Sequence, residues 1–378
     1  MMEIIYYRII VTNEFQRLAA IGVNMSETRG MAKTLFSLTK PRVVVLLQIT
    51  AMCAILSHDF IEINRINYNT LENMLIVFIG GYLTAGGANC INMWYDRDID
   101  PIMNRTSKRP LAVGDISPAG ALIFGVVISL LGTLWLIQMA NEVAAFWALF
   151  SILFYVFIYT IWLKRTSTQN IVIGGIAGST PPVIGWCAAE GNLQISMNSL
   201  QEFTNSIFEI GGYMPWFMFL LIFLWTPPHF WALALYRSEE YEKVGVPMMP
   251  NVKGKHRTLV EMKIYSIILI LLSLTAPLSY HEIEYWSNLN LDLNNILIIL
   301  NTGILSFWYA LTVWGIDVME DNDENNRMPT ASYSFFVSLS YLAFMFIALV
   351  LSSMGVEGAI VSLVLVILLI LRDKKNKK

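Results

Sequence analysis

Charge is what this chain most lacks. Of its 378 residues only 14% are Asp, Glu, Lys or Arg, where soluble domains carry about 25%. That excludes a water-soluble globular fold as the main architecture. With 56% hydrophobic residues and a mean hydropathy of +0.56, the composition is that of a chain crossing a membrane many times. Cysteine is nearly absent. Cys53, Cys90 and Cys187 stand singly in apolar runs, which argues against a disulfide framework or a cysteine metal site and for small buried hydrophobes. A basic, apolar, small-residue signal segment is missing from the N-terminus, and the mixed residues 1–24 are expected to be peripheral.

Long apolar runs are present in number. They fall near 43–57, 73–94, 117–140, 143–163, 170–189, 214–236, 262–280, 293–316 and 333–353, with a shorter one at 356–371. Spans of this kind cross about 30 Å of hydrocarbon as helices. The pattern predicts an all-α polytopic membrane bundle of nine transmembrane helices plus a tenth, C-terminal helix. Three regions follow: an N-terminal cytoplasmic extension (1–32), a membrane domain (33–353), and an extra helix with a basic tail (354–378). Gly80, Gly81, Gly86, Gly87, Gly174, Gly175, Gly178 and the pairs Pro181–Pro182 and Pro227–Pro228 lie inside spans, predicting close helix approach and irregular interior segments. If the spans alternate, 24 of the 25 Lys and Arg residues share the side of the N-terminus and only Arg65 lies opposite. This bias predicts a cell-membrane protein with that side, and both termini, in the cytoplasm. Without the tenth helix the basic tail would lie outside.

Three polar clusters stand at the cytoplasmic ends of spans. The first is NMWYDRDIDPIMNRTSKRPL, residues 92–111. Asn92, Asp96 and Asp100 are spaced i, i+4, i+8, within about 80° of one helical face. Oxygen ligands so placed suit Mg²⁺, a hard ion that bridges to substrate phosphates. Arg97, Arg105, Lys108 and Arg109 follow as candidate partners for phosphate oxygens. A solvated loop obeying the positive-inside rule would not require three oxygen ligands on one face. Asp98 points away from that face and is the weaker candidate. The second cluster is TPPHFWALALYRSEEYEKVGVPMMP (226–250), with His229 inside the apolar run and Glu239, Glu240 and Glu242 at its end. An ionisable group within a membrane span is a functional candidate, though a lone histidine also serves as a hydrogen-bonded core residue. The third is YTIWLKRTSTQN (159–170), where Tyr159, Lys164 and Arg165 end span four and Asn170 opens span five; the basic pair suits a diphosphate or a plain interfacial anchor. The acidic loop 315–329 lacks calcium-ligand spacing and is expected to be solvated.

These residues resemble the UbiA-type membrane prenyltransferases, whose signature Asn-x3-Asp-x3-Asp is matched by Asn92, Asp96 and Asp100. Within that family LTKPRVVVLL (38–47), residues 92–111, YTIWLKRTSTQNIVIGGIAGSTPPVIGW (159–186) and residues 226–250 are similar to the heme-farnesylating branch, the heme O synthases. The likeness covers about residues 33–350. It implies a Mg²⁺-dependent enzyme that moves the farnesyl group of farnesyl diphosphate to a vinyl group of heme B, with addition of water, to give heme O and diphosphate for terminal oxidases. Asn92, Asp96, Asp100 and Lys164 would be catalytic, and Arg97, Arg105, Lys108, Arg109, Lys164 and Arg165 would hold diphosphate. Asn92, Asp96, Asp100 and Glu240 would hold metal. His229, Trp225, Phe230, Trp231 and Tyr159 would face heme or the prenyl tail, with Trp94 and Tyr95 as further wall candidates. The bilayer is a partner, heme A synthase or oxidase assembly are further candidates, and no nucleic acid is expected. Two departures stand out: Arg237-Ser238-Glu239-Glu240-Tyr241 replaces a second Asp-x3-Asp motif, and residues 190–213 are additional length. Rival readings keep the family with another acceptor, such as a quinone precursor, or make the chain a transporter. Against the first, only His229 of four histidines is placed within the membrane. Against the second, the charges cluster at one face beside bases rather than at the midplane.

Overall fold

The structure, a computed structural model, describes residues 30–281, 292–324 and 327–376. Most of the expected N-terminal extension, part of the 281–292 connection and the last two lysines lie outside the described residues. Among the described residues there are helices and no strand. They are α1 (Met31–Leu38), α2 (Pro41–Glu62), α3 (Tyr68–Tyr95), α4 (Pro118–Met139), α5 (Glu142–Leu153), α6 (Asn170–Ser179), α7 (Pro181–Glu190), α8 (Leu200–Phe208), α9 (Met214–Glu242), α10 (Met249–Lys253), α11 (Lys255–Leu274), α12 (Leu293–Trp314), α13 (Pro329–Ser352) and α14 (Val356–Asn376).

Local chemistry sets the starts. Asn67 and Thr70 form a reciprocal capping box at α3, Ser117 caps α4 ahead of Pro118, and Asn141 and Asp292 cap α5 and α12. Eight stretches are long and apolar enough to cross a membrane: Pro41–Glu62, Tyr68–Asp98, Pro118–Met139, Glu142–Thr166, Asn170–Glu190, Met214–Glu242, Leu293–Trp314 and Pro329–Ser352. The chain is a multi-pass membrane protein. The expected seventh and tenth spans form the helices α11 and α14, but charge crowds one end of each, and neither reaches that length of uninterrupted apolar sequence. Both still pack as bundle members, α11 against α9 and α12, α14 against α12 and α13. Asp373 of α14 accepts from Trp308 and Tyr333, and Asn301 donates to the Ala359 carbonyl at 2.9 Å.

Helix contact in a bilayer depends on close packing rather than on removal of water. The α3–α4 pair shows how that is met. A Cβ on Gly87 would stand 2.6 Å from the Gly125 carbonyl oxygen and against Ser129 Oγ. Between α7 and α2, a Cβ on Gly185 would strike the Ala51 carbonyl oxygen.

Two polar clusters tie opposite ends of the bundle. At one end His58 Nδ1 and Nε2 meet Asp59 at 2.8 Å and Glu190 at 3.0 Å, and Thr70 donates to Asp59, joining the end of α2, the start of α3 and the end of α7. At the other end Lys40, just before α2, reaches Asn92 near the end of α3. From Lys40 to His58 along α2, the two clusters stand about 27 Å apart at 1.5 Å per residue.

Four features depart from the expected spans. The α3 helix ends at Tyr95 and tightens into a 3₁₀ turn over Asp96–Asp98, so Asn92, Asp96 and Asp100 do not share one continuous helix. Span four changes after Leu153 to a π-helix, Phe154–Leu163, before a last α turn at Lys164–Thr166; π segments gather at functional sites. Span five breaks at Thr180, between α6 and α7, where Pro181 and Pro182 follow. Span six runs through Pro227 and Pro228 without breaking and continues to Glu242, so the three glutamates ride on the helix.

Candidate active site

The buried end of α3 carries the site. Asn92, Asp96 and Asp100 are 3%, 0% and 2% exposed, a burial that carboxylates bear only when paired. Each meets a cation or a polar group from another element. Lys40 Nζ donates to Asn92 Oδ1 at 2.7 Å, and Asn92 Nδ2 donates to Thr160 Oγ1 at 3.1 Å. Lys164 Nζ pairs with Asp96 Oδ2. Arg109 Nη1 lies 2.8 Å from both Asp100 oxygens. The π-helix delivers Thr160 and, at its end, Lys164 and Arg165 to this point.

Asp100 lies past the helix, yet the turn brings it back: its N–H donates to the Asp96 carbonyl at 2.9 Å, and the buried Thr106 hydroxyl donates to the Asp100 carbonyl at 2.8 Å. Asp96 Oδ1 is buried without a hydrogen-bond partner, with Arg165 Nη2 at 3.8 Å. Arg165 forms a two-bonded fork on Asp98 at 2.7 Å for each bond and lies over the Tyr95 ring. Asp98 is itself exposed.

Lys40 was not foreseen as a site residue. The sequence showed only a basic residue before Pro41, one of many on that side. Its backbone is left-handed, φ +52°, where a residue before proline prefers an extended form. Strain of this kind costs about 1–3 kcal/mol and is held by its surroundings. Burial, then repulsion from Arg109 and Lys164, hold its ammonium down to about 7, against the opposing pull of Asp96 and Asp100.

Other expected residues divide. Arg97 is exposed, donates to the Trp94 carbonyl and lies over the Trp94 ring, so it does not join the cluster. Arg105 and Lys108 are exposed on the loop, with Arg105 near enough to act electrostatically on Tyr155 and Tyr159. Tyr159 stacks on Tyr155 with ring centroids 5.3 Å apart. Glu240 pairs with Arg237 at 2.7 Å on its own helix, and no bond from it to the Asp96 cluster is present. The two distant segments do converge: Ile99 packs with Ala234 of α9 and with Val246 and Met248 of the VPMM stretch.

Five residues along α9 from Ala234, about 7 Å deeper at 1.5 Å per residue, sits His229. It is buried, stacked between Trp225 (4.2 Å) and Phe335 (4.6 Å), with Phe230 edge-on at 5.1 Å. Its Nδ1 meets Ser338 Oγ at 2.5 Å. Trp225 donates to the Ser338 carbonyl. Phe230 is 39% exposed, whereas Trp231 is buried in the core against Tyr265.

For a metal, the donors Asn92, Asp96 and Asp100 offer only oxygen, which suits a hard ion such as Mg²⁺. The unpartnered Asp96 Oδ1 is an open position in that set. Among the described residues no three His, Cys, Asp or Glu side chains stand together as a ready-made site; the set here has two carboxylates and an amide, and cations now hold Asp96 and Asp100. The set fits the ion in kind, with an exchange of partners on binding.

Comparison with known proteins agrees with this geometry. The model of the UbiA prenyltransferase family matches residues 63–289. A protoheme IX farnesyltransferase of Bartonella tribocorum is 40% identical over 84% of this chain and 90% of its own, and one of Symbiobacterium thermophilum is 45% identical over 62% and 70%. A protoheme IX farnesyltransferase 2 of Mesorhizobium japonicum is 38% identical over 90% and 95%. In fold the chain resembles digeranylgeranylglyceryl phosphate synthase (TM-score 0.61, 18% identity, 85% of this chain and 98% of that one). It also resembles a UbiA homologue from Archaeoglobus fulgidus solved with DMAPP and Mg²⁺ (TM-score 0.51, 18% identity, 84% and 99%). Residues that pair a buried carboxylate set with cations at one membrane face thus sit in a chain that belongs to the UbiA prenyltransferase family, among the protoheme IX farnesyltransferases.

Proposed function

We propose that this protein transfers the farnesyl group of farnesyl diphosphate to a vinyl group of heme B, with addition of water, giving heme O and diphosphate. The observation that carries the reading is the cluster of half-buried Lys40, Arg109, Lys164 and Arg165 around the buried Asn92, Asp96 and Asp100. Magnesium, held by Asn92, Asp96 and Asp100, would supply positive charge against the diphosphate when bound. Lys40, Lys164 and Arg109, which now neutralise those oxygens, then turn to the diphosphate. As the allylic C–O bond breaks, charge grows on the leaving group, and cations held in place beforehand favour that state over the ground state. The attacking carbon is the heme vinyl group, and a water molecule closes the resulting cation. Aromatic side chains such as Tyr155, Tyr159, Trp225 and Phe230 hold bulk water off the prenyl cation until it is captured. His229 faces the heme.

Glu240 serves as a further metal contact only if it leaves Arg237. Arg97 acts at the rim, and Arg105 and Lys108 guide the incoming diphosphate. The catalytic end faces the cytoplasm of a cell membrane, residues 33–353 form the prenyltransferase domain, and α14 with its basic tail anchors it. Handover to heme A synthase or an oxidase assembly step is the natural next contact for so apolar a product.

The test is heme O formation from heme B and farnesyl diphosphate by purified membranes, with and without Mg²⁺, read by chromatography. Absence of heme O from the wild type, or undiminished heme O from Asp96→Ala, overturns the proposal.

A further inference from the structure

The Ser338 hydroxyl lies 2.6 Å from the Phe335 carbonyl oxygen and 2.5 Å from His229 Nδ1. It owns one proton. Two bare oxygens at 2.6 Å repel, so the hydroxyl proton lies on the line to Phe335. The bond to His229 must then be made by the ring's own N–H, which places that proton on Nδ1. In the neutral ring this leaves a lone pair on Nε2. Nε2 has no hydrogen-bond partner among the described residues and is not among the fully enclosed unpartnered atoms. Trp225 and Phe335 stack on the two faces of the imidazole, tilted by only 18° and 19°. The ring therefore cannot tip, and only its Nε2 edge is presented.

We propose that Ser338 is a positioning residue that fixes the Nδ1–H tautomer of His229, so that Nε2 is the atom offered to the iron of the heme substrate. The proposal rests on the reading that His229 faces heme. A histidine that binds a metal through one nitrogen commonly donates its other N–H to an oxygen acceptor, and losing that acceptor weakens metal binding about 10–100-fold. Ser338 comes from α13, distant in sequence from every motif of the chain. Its hydroxyl is wholly buried and has no part in the diphosphate site.

The test is titration of the purified full-length protein with ferric heme, followed by the absorption and spin-state change of an imidazole-bound iron. Wild type, His229→Ala, Ser338→Ala and Ser338→Thr are compared. Expected is an imidazole signature in wild type that His229→Ala abolishes. Ser338→Ala should weaken heme binding about tenfold or more and lose part of the signature, while Ser338→Thr, which keeps the hydroxyl, stays close to wild type. The KM for farnesyl diphosphate should not change in Ser338→Ala, which separates positioning from general damage. A signature dependent on His229 but indifferent to Ser338→Ala overturns this inference alone. Equal losses in the alanine and threonine variants would assign the effect to packing and also overturn it. No His229-dependent signature in wild type removes the placement of heme at His229, and this inference with it.

Discussion

Asp96 and Asp98 are two positions apart and share Arg165, but their surroundings differ. Asp96 is fully buried, pairs with Lys164 and keeps one oxygen without a hydrogen bond; the Asp98 side chain is 57% exposed and has Arg165 as its cation partner. The amide substitutions Asp96→Asn and Asp98→Asn keep shape and remove charge. For Asp98 the loss is that of a surface ion pair, about 0–1 kcal/mol, or at most about fivefold in rate. For Asp96 it includes the proposed metal-ligand position and the charge that pairs with Lys164. Loss of one preorganised electrostatic group in a closed site costs about 3–4 kcal/mol, or 10²–10³-fold in kcat. Heme O production should therefore fall at least a hundredfold in Asp96→Asn, with half-saturation moving to higher Mg²⁺, and change little in Asp98→Asn. The assay is initial rate against Mg²⁺ concentration in detergent or nanodiscs. Equal losses in the two variants, or an unchanged Mg²⁺ requirement in Asp96→Asn, would refute the division between a buried working carboxylate and an exposed tether.

Replacing Lys164 with Met leaves Asp96 buried without its nearest cation; about 3–5 kcal/mol of stability should go, read as a lower thermal unfolding midpoint in detergent. Lys40 is held down to about 7, so its useful charged form fades as pH rises through 7, and KM for farnesyl diphosphate should climb there in wild type and stay high and flat in Lys40→Met. Stability has the opposite sign: between about pH 7 and the ordinary lysine value near 10.4 the unfolded chain holds a proton that the folded chain does not, so stability rises with pH across that window. That slope, seen in unfolding midpoints, should vanish in Lys40→Met. Gly87→Val forces α3 from α4 against a backbone oxygen and should abolish folded, monodisperse protein, whereas Gly114→Ala, in an exposed turn with open space around it, should show only a modest loss from its positive φ.

Much of the helical plan was legible because hydropathy reports burial in lipid directly, and among the described residues eight of the ten expected runs form helices long and apolar enough to cross a membrane. The Asn92–Asp96 step was legible for the same reason that helix faces are: four residues make one turn. Asp100 was assigned to that face by extrapolating a helix that in fact stops at Tyr95, and it reaches the site through a turn and the Thr106 bond instead. Arg97 shows the converse. It neighbours Asp96 in sequence but points about 120° away on the 3₁₀ turn, to Trp94. Lys40 and Ser338 were not legible, since each acts through a contact between helices far apart in the chain, and neither has a local pattern. The π-helix was hidden too, because residues 154–163 are apolar throughout and no spacing separates one helical pitch from another.

That π-helix has a consequence for register. Its hydrogen bonds skip one residue more than an α-helix, so it delays the rotation of everything after it. The faces of α5 before Phe154 are set by packing on α4 and α7, while Thr160 is set by the Asn92 amide and Lys164 and Arg165 by the carboxylates. Span four thus works as a phase shifter between two demands that one uniform helix would have to trade against each other. Removing a single residue from 154–163 would leave enough length to cross the bilayer, yet would swing Lys164 about 100° around the axis, away from Asp96, turning the proposed catalytic end into an ordinary basic anchor.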